Sequence, residues 1–122
     1  MINAAQLSLL TKNQKFIKPK KTVRLGTLFS GIGAVEQAFK LLKIPHEIIY
    51  ASDNDKFAKE SYLSNYSIIE KEWYDDVKDI NGLKYKYKTD VIVGGAPCQP
   101  FSMVGKRRGL DDARGTLFYD FA

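Results

Sequence analysis

Cysteine, histidine and long apolar runs are what this 122-residue sequence has least of. One cysteine, Cys98, cannot form an internal disulfide or a cysteine-based metal cluster, which makes a reducing, cytoplasmic setting the expected one. One histidine, His46, argues equally against a histidine-rich site, so no metal is expected. No apolar run reaches the roughly 18 residues of a membrane-spanning helix. Nor does an apolar stretch of about 7–15 residues follow the first positive charges, so a signal peptide is not expected. Acid is absent from one end. Residues 1–35 hold Lys12, Lys15, Lys18, Lys20, Lys21 and Arg24 with no Asp or Glu, giving +6 there, −1 in the remainder and a formal net charge of +5. Such an end either neutralises nucleic-acid phosphates or is simply solvated, and charge alone does not choose.

What is present reads as one soluble α/β unit. Residues 1–21 form a basic arm, with Leu7, Leu9 and Leu10 as a short apolar patch and Pro19 near its end. From Thr22, "TVRLGTLF" has the residues of a strand and runs into a tight turn, Ser30-Gly31-Ile32-Gly33. "AVEQAFKLLK" follows with Val35, Ala38, Phe39 and Leu42 at helical spacing, and Pro45 ends it. "HEIIYAS" is a second strand, and Asp53 and Asp55 open a second helix over "KFAKESYLSNY". A weaker third strand is expected near Trp73–Val77. "TDVIVGG" is apolar throughout, as a strand buried on both faces would be. Alternation of strand and helix predicts a parallel sheet with right-handed crossovers. The last segment, "RGTLFYDFA", begins a helix inside which the sequence stops, so residues 22–122 are expected to be the first part of a longer domain.

Two places carry chemistry. Gly31-x-Gly33 after the first strand lets backbone approach a ligand, and Asp53, at the end of the second strand, is placed to accept hydrogen bonds from ribose hydroxyls. The third glycine of a dinucleotide fingerprint is missing, and Glu36 stands there, a poor neighbour for a pyrophosphate. A nucleoside cofactor without a pyrophosphate fits better, as S-adenosylmethionine does. A plain turn followed by a helix N-cap aspartate fits the same residues. The second place is "GGAPCQPFS". Cys98 lies just past a strand end, stiffened by Pro97 and Pro100, with Lys106, Arg107, Arg108 and Arg114 on the loop downstream. His46 belongs to the opposite end of the sheet, which disfavours a Cys–His dyad. A buried structural cysteine and an activated thiolate both remain open on these grounds.

Taken together, "LFSGIG", "YASDND", "VKDI" and "GGAPCQPFSMVGKRRGLDDARGTLFYDFA" resemble the motifs of the DNA cytosine-5 methyltransferases, specifically those of restriction–modification systems, from about Val23 to Ala122. The resemblance implies an incomplete Rossmann-like, S-adenosylmethionine-dependent methyltransferase fold of α/β class with a parallel sheet. It implies that Cys98 adds to carbon 6 of a flipped cytosine, and that carbon 5 then takes the methyl group. Phe29, Gly31, Ile32, Gly33, Asp53, Asn54, Asp79, Ile80, Pro97 and Leu117 correspond to the cofactor site. Gln99, Ser102, Lys106, Arg107, Arg108 and Arg114 correspond to contacts with double-stranded DNA. Asn54 stands where many members carry a large apolar side chain, and Ala34 replaces a common glycine. The family's Glu-Asn-Val motif, target-recognition region and final helix lie beyond residue 122. The implied partner is therefore the remainder of the methyltransferase, as the same longer chain or a second subunit. A tRNA-directed member of the same family and a non-catalytic remnant are the alternatives.

Overall fold

The computed structural model describes residues 17–96. Strands β1 (Val23–Leu28), β2 (His46–Ser52), β3 (Trp73–Tyr74) and β4 (Val91–Gly94) form one sheet in the order β3-β2-β1-β4, every pair parallel. Helices α1 (Ala34–Leu41) and α2 (Lys56–Asn65) form the first two connections, and a short α3 (Gly82–Tyr85) precedes β4. The chain steps outward from β1 to β3 and then returns to the other side of β1. This reversal creates a switch point between β1 and β4, where loops diverge above the strand ends and leave a crevice. None of the helices is long and apolar enough to cross a membrane among the described residues.

Two clusters, one on each face, hold the sheet. Ala51, Tyr62 and Trp73 make the first, and Leu28, Tyr50, Val77 and Tyr85 the second. Adjacent strand residues point to opposite faces, so Tyr50 and Ala51 serve different clusters. The β1–β2 register shifts between Leu25 and Gly26, which pair with Ile48 and Tyr50 and leave Ile49 as an extra residue. A bulge of this kind bends the strand locally, and Ile49 packs with the Tyr50 cluster while Ile48 packs with the other. Gly26 is required at this point, because a Cβ there would lie 2.4 Å from the Tyr50 ring.

Several elements differ from the sequence-based expectation. The third strand stops at Tyr74 rather than reaching Val77, because Asp75 and Asp76 turn away and Val77–Asp79 is a 3-10 turn. The fourth strand spans Val91–Gly94 and is not buried on both faces. Val91 and Ile92 are 38% and 53% exposed, since β4 pairs only with β1 among the described residues. On α1 the apolar stripe is only partly covered: Val35 and Phe39 are half-buried, whereas Ala38 and Leu42 face outward. The predicted helix after Arg114 and most of the arm lie outside the described residues.

Gly26→Ala is expected to destabilise the fold by about 1–3 kcal/mol, the usual cost of overpacking. A lowered urea midpoint with an unchanged slope is the readout, and an unaltered midpoint would show that Tyr50 moves aside freely.

Candidate cofactor site

The turn after β1 is shaped by backbone that side chains rarely adopt: Phe29, Gly31 and Gly33 have φ of 53°, 54° and 89°. Glycine meets that demand at two of the three positions. Gly33 is further constrained by α2, because the Tyr66 ring occupies the space of its missing Cβ and the Tyr66 hydroxyl donates to the Gly33 carbonyl at 2.8 Å. Serine completes the turn. Ser30 N–H donates to the Ser52 carbonyl at 2.9 Å, and Ser52 N–H donates to Ser30 Oγ at 3.2 Å, which locks the turn to the end of β2.

Asp53 follows immediately. Its Oδ2 accepts from Gly31 N–H at 2.7 Å and its Oδ1 from Asp55 N–H at 2.9 Å. The α2 N-cap is instead Asp55, whose side chain accepts from Ala58 N–H at 2.8 Å. One aspartate therefore caps the helix and the other braces the glycine turn. Each Asp53 oxygen keeps a lone pair for a ligand hydroxyl.

A cleft of about 240 Å³ opens at the carboxyl ends of β1, β2 and β3, lined by Phe29, Ser52, Asp53, Asn54, Asp75, Asp76 and Val77. Three carboxyl groups on its walls would repel a pyrophosphate and suit hydroxyls or an ammonium group. The Asp75 carboxyl is held below its ordinary range by Lys59, whose Nζ lies 2.9 Å away, and by the Trp73 indole N–H. Asp76 folds back to accept from Lys78 N–H at 2.9 Å, which presents Val77 at the base of the cleft. Among the described residues no group of three or more His, Cys, Asp or Glu could hold a metal ion.

Residues 23–122 match the family model for C-5 cytosine-specific DNA methylases. The chain belongs to that family. It is 39% identical over 99 residues to the orphan methyltransferase M.SPRI of Bacillus phage SPR, covering 81% of this chain and 22% of that protein. It is also 39% identical over 97 residues to the type II methyltransferase M.NgoBI of Neisseria gonorrhoeae, covering 78% and 28%. The chain thus spans about a quarter of the curated relatives it matches. Among solved structures, the S. pombe Dnmt2 methyltransferase superposes with a TM-score of 0.61 at 28% identity, over 80% of this chain and 30% of that one. This methylase segment has the parallel, Rossmann-like architecture anticipated from its sequence.

Of the methylase residues assigned to the cofactor by resemblance, Phe29, Asp53 and Asn54 share the cleft, and Gly31 is bonded to it through Asp53. Ile32 and Gly33 instead line a separate groove between α1 and α2, with Ile32 67% exposed. Asp79 is exposed, and Ile80 packs against the Tyr50 cluster; neither lines the cleft, whereas Asp76 and Val77, three residues earlier, do. Asp75 and Asp76 follow β3 as Asp53 follows β2, and that strand-end position was the signal available in the sequence. Extending the third strand to Val77 concealed it. Pro97, Cys98, Gln99, Ser102, Lys106, Arg107, Arg108, Arg114 and Leu117 lie outside the described residues.

Glu36 does not face the cleft at all. It is fully buried, with Oε1 accepting from the Thr27 hydroxyl at 2.6 Å and from the Tyr62 hydroxyl. The missing third glycine is thus explained by packing rather than by repulsion of a ligand. Burial, reinforced by Glu36, raises the Tyr62 pKa far above its ordinary value, so its hydroxyl remains a donor throughout the neutral range. Glu36→Ala orphans the buried Tyr62 hydroxyl, while Thr27 keeps Ser30 Oγ at 2.9 Å, and is expected to cost about 1–3 kcal/mol for the group left unpaired. Glu36→Gln, which keeps an acceptor, should lose less in thermal unfolding; equal losses would show that the hydrogen bonds contribute nothing.

Proposed function

We propose that this chain is the cofactor-binding and nucleophile-bearing part of a DNA cytosine-5 methyltransferase of restriction–modification type. The observation that carries the reading is the Asp53–Gly31 brace beside a carboxyl-lined cleft at the carboxyl ends of β1, β2 and β3. S-adenosylmethionine fits the donor set: Asp53 would receive ribose hydroxyls, Phe29 and Val77 would flank the adenine, and the remaining carboxyl groups would suit an ammonium. When bound, that cofactor supplies an electrophilic methyl group. Asp76 and Val77 replace Asp79 and Ile80 as the proposed adenine neighbours, because they line the cleft.

Cys98 follows Ala96, the last described residue, by two positions in the sequence. In the proposed reaction its thiolate adds to carbon 6 of a flipped cytosine and makes carbon 5 nucleophilic. After methylation, carbon 5 loses its proton and the carbon–sulfur bond breaks, which restores the aromatic ring and the thiolate. Gln99, Ser102, Lys106 to Arg108 and Arg114 would contact the DNA. The partner required is the remainder of a methyltransferase, with its sequence-reading region.

Duplex DNA carrying 5-fluorocytosine tests the nucleophile, since fluorine at carbon 5 cannot leave as a proton does. An assembled enzyme containing this chain should form a denaturant-stable adduct that Cys98→Ser abolishes; an adduct that persists overturns the assignment. In the same enzyme Asp53→Ala should weaken S-adenosylmethionine binding by about 10- to 100-fold, the worth of a hydrogen bond to a charged group. Undiminished affinity in calorimetry would remove Asp53 from the site.

A further inference from the structure

Parallel pairing collects the segments that precede β1, β2 and β4 at one end of the sheet, opposite the cleft. They are physically joined. Val23 N–H donates to the Pro45 carbonyl at 2.8 Å, and Arg24 reaches the Tyr87 carbonyl at 2.9 Å and the Asp90 carboxylate at 2.7 Å. These segments present Lys18, Lys20 and Lys21, then Lys43, then Lys86 and Lys88, all exposed and none in an ion pair among the described residues. Of the acids at this end, including the turn Glu70–Glu72 before β3, Asp90 is neutralised by Arg24 and Glu72 by Lys84, while Glu47 and Glu70 are exposed beside these six lysines.

The backbone here is also unusual. Lys43 and Tyr87 have φ of 52° and 63°, and with Phe29 they are the non-glycine residues of positive φ in the described chain. An aromatic residue seldom adopts this conformation. At Tyr87 it leaves the ring 82% exposed, with Lys86 Nζ 5.2 Å from the ring centroid. The Arg24 bonds to Tyr87 and Asp90 hold this turn in place, so the cations stand on a braced surface rather than on a free tail.

We propose that this amino-end surface is a second contact for duplex DNA, engaging phosphates of a segment other than the one that carries the target base. It rests on the reading of the chain as part of a DNA methyltransferase. Six strand residues separate it from the cleft, or about 20 Å, so one short stretch of backbone cannot satisfy both ends. Duplex DNA suits the surface because its charge is dense and regular, and each neutralised phosphate releases counterion.

The experiment titrates a short fluorescent duplex with the full chain across a salt series. Replacing Lys21, Lys86 and Lys88 together by Gln should lower the magnitude of the log–log salt slope by about 2–3. The charge-matched replacement of Lys56, Lys59 and Lys78, which follow β2 and β3 at the carboxyl end, should leave it close to wild type. Equal slopes for the two triples would show that net charge alone sets the affinity, and would overturn the proposal. So would retention on anionic phospholipid vesicles that falls in the amino-end triple while duplex affinity does not. Calorimetry with S-adenosylmethionine separates the two readings. Cofactor binding that survives in the amino-end triple while its salt slope stays at the wild-type value discards only the surface. A reduced slope in a chain of the assembled enzyme that binds no cofactor keeps the surface and discards the cofactor site.

Discussion

The carboxyl group of Glu36 joins three elements that would otherwise only abut. It sits on α1, accepts from Thr27 on β1 and from Tyr62 on α2, and is wholly buried. Thr27 in turn lies 2.9 Å from Ser30 Oγ, the atom that receives the Ser52 amide. The glycine turn is therefore suspended from a polar network inside an otherwise apolar interface. Such networks are costly when incomplete and specifying when satisfied, and in this one Glu36 Oε1 takes both donors while Oε2 is buried without a partner among the described residues. Here the network sets how the turn meets the end of β2, and so where Asp53 finds the Gly31 amide.

From that arrangement follows a division of the molecule along the strand axis. The carboxyl end gathers Asp53, Asp75 and Asp76 around the cleft. The amino end gathers lysines, and Arg24 there holds the Asp90 carboxyl down to about 2 through side-chain and backbone hydrogen bonds. Parallel topology makes this separation possible, because all four strands begin at one end and finish at the other. An antiparallel sheet of the same composition would mix the two charges at both ends.

Much of the fold was legible because its signals are local. Strand β2 appears over the residues anticipated from "HEIIYAS", and α2 over nearly all of "KFAKESYLSNY", since β-branched runs and a capping aspartate act over a few residues. Strand β1 begins at Val23, one residue later than expected. The misses share a cause. Residue type extends the third strand to Val77, yet Asp75 and Asp76 leave the sheet for Lys59 and their own turn. Buried β4 was inferred from hydrophobicity, whereas exposure depends on what lies beside the strand. Glu36 looked like a ligand-facing residue because its buried partner, Tyr62, lies 26 positions away.

By itself the sequence determined which segments become strands and helices, that the sheet is parallel, and to which methylase family the segment belongs. These depend on short-range periodicity and on contiguous motifs. Only the tertiary structure decided which of two neighbouring aspartates caps the helix and which braces the glycine turn. It alone placed Asp76 and Val77, rather than Asp79 and Ile80, along the described cleft, and brought three distant lysine-bearing segments to one end. Each of those outcomes turns on distances between residues far apart in the chain, and such distances exist only after the sheet has closed.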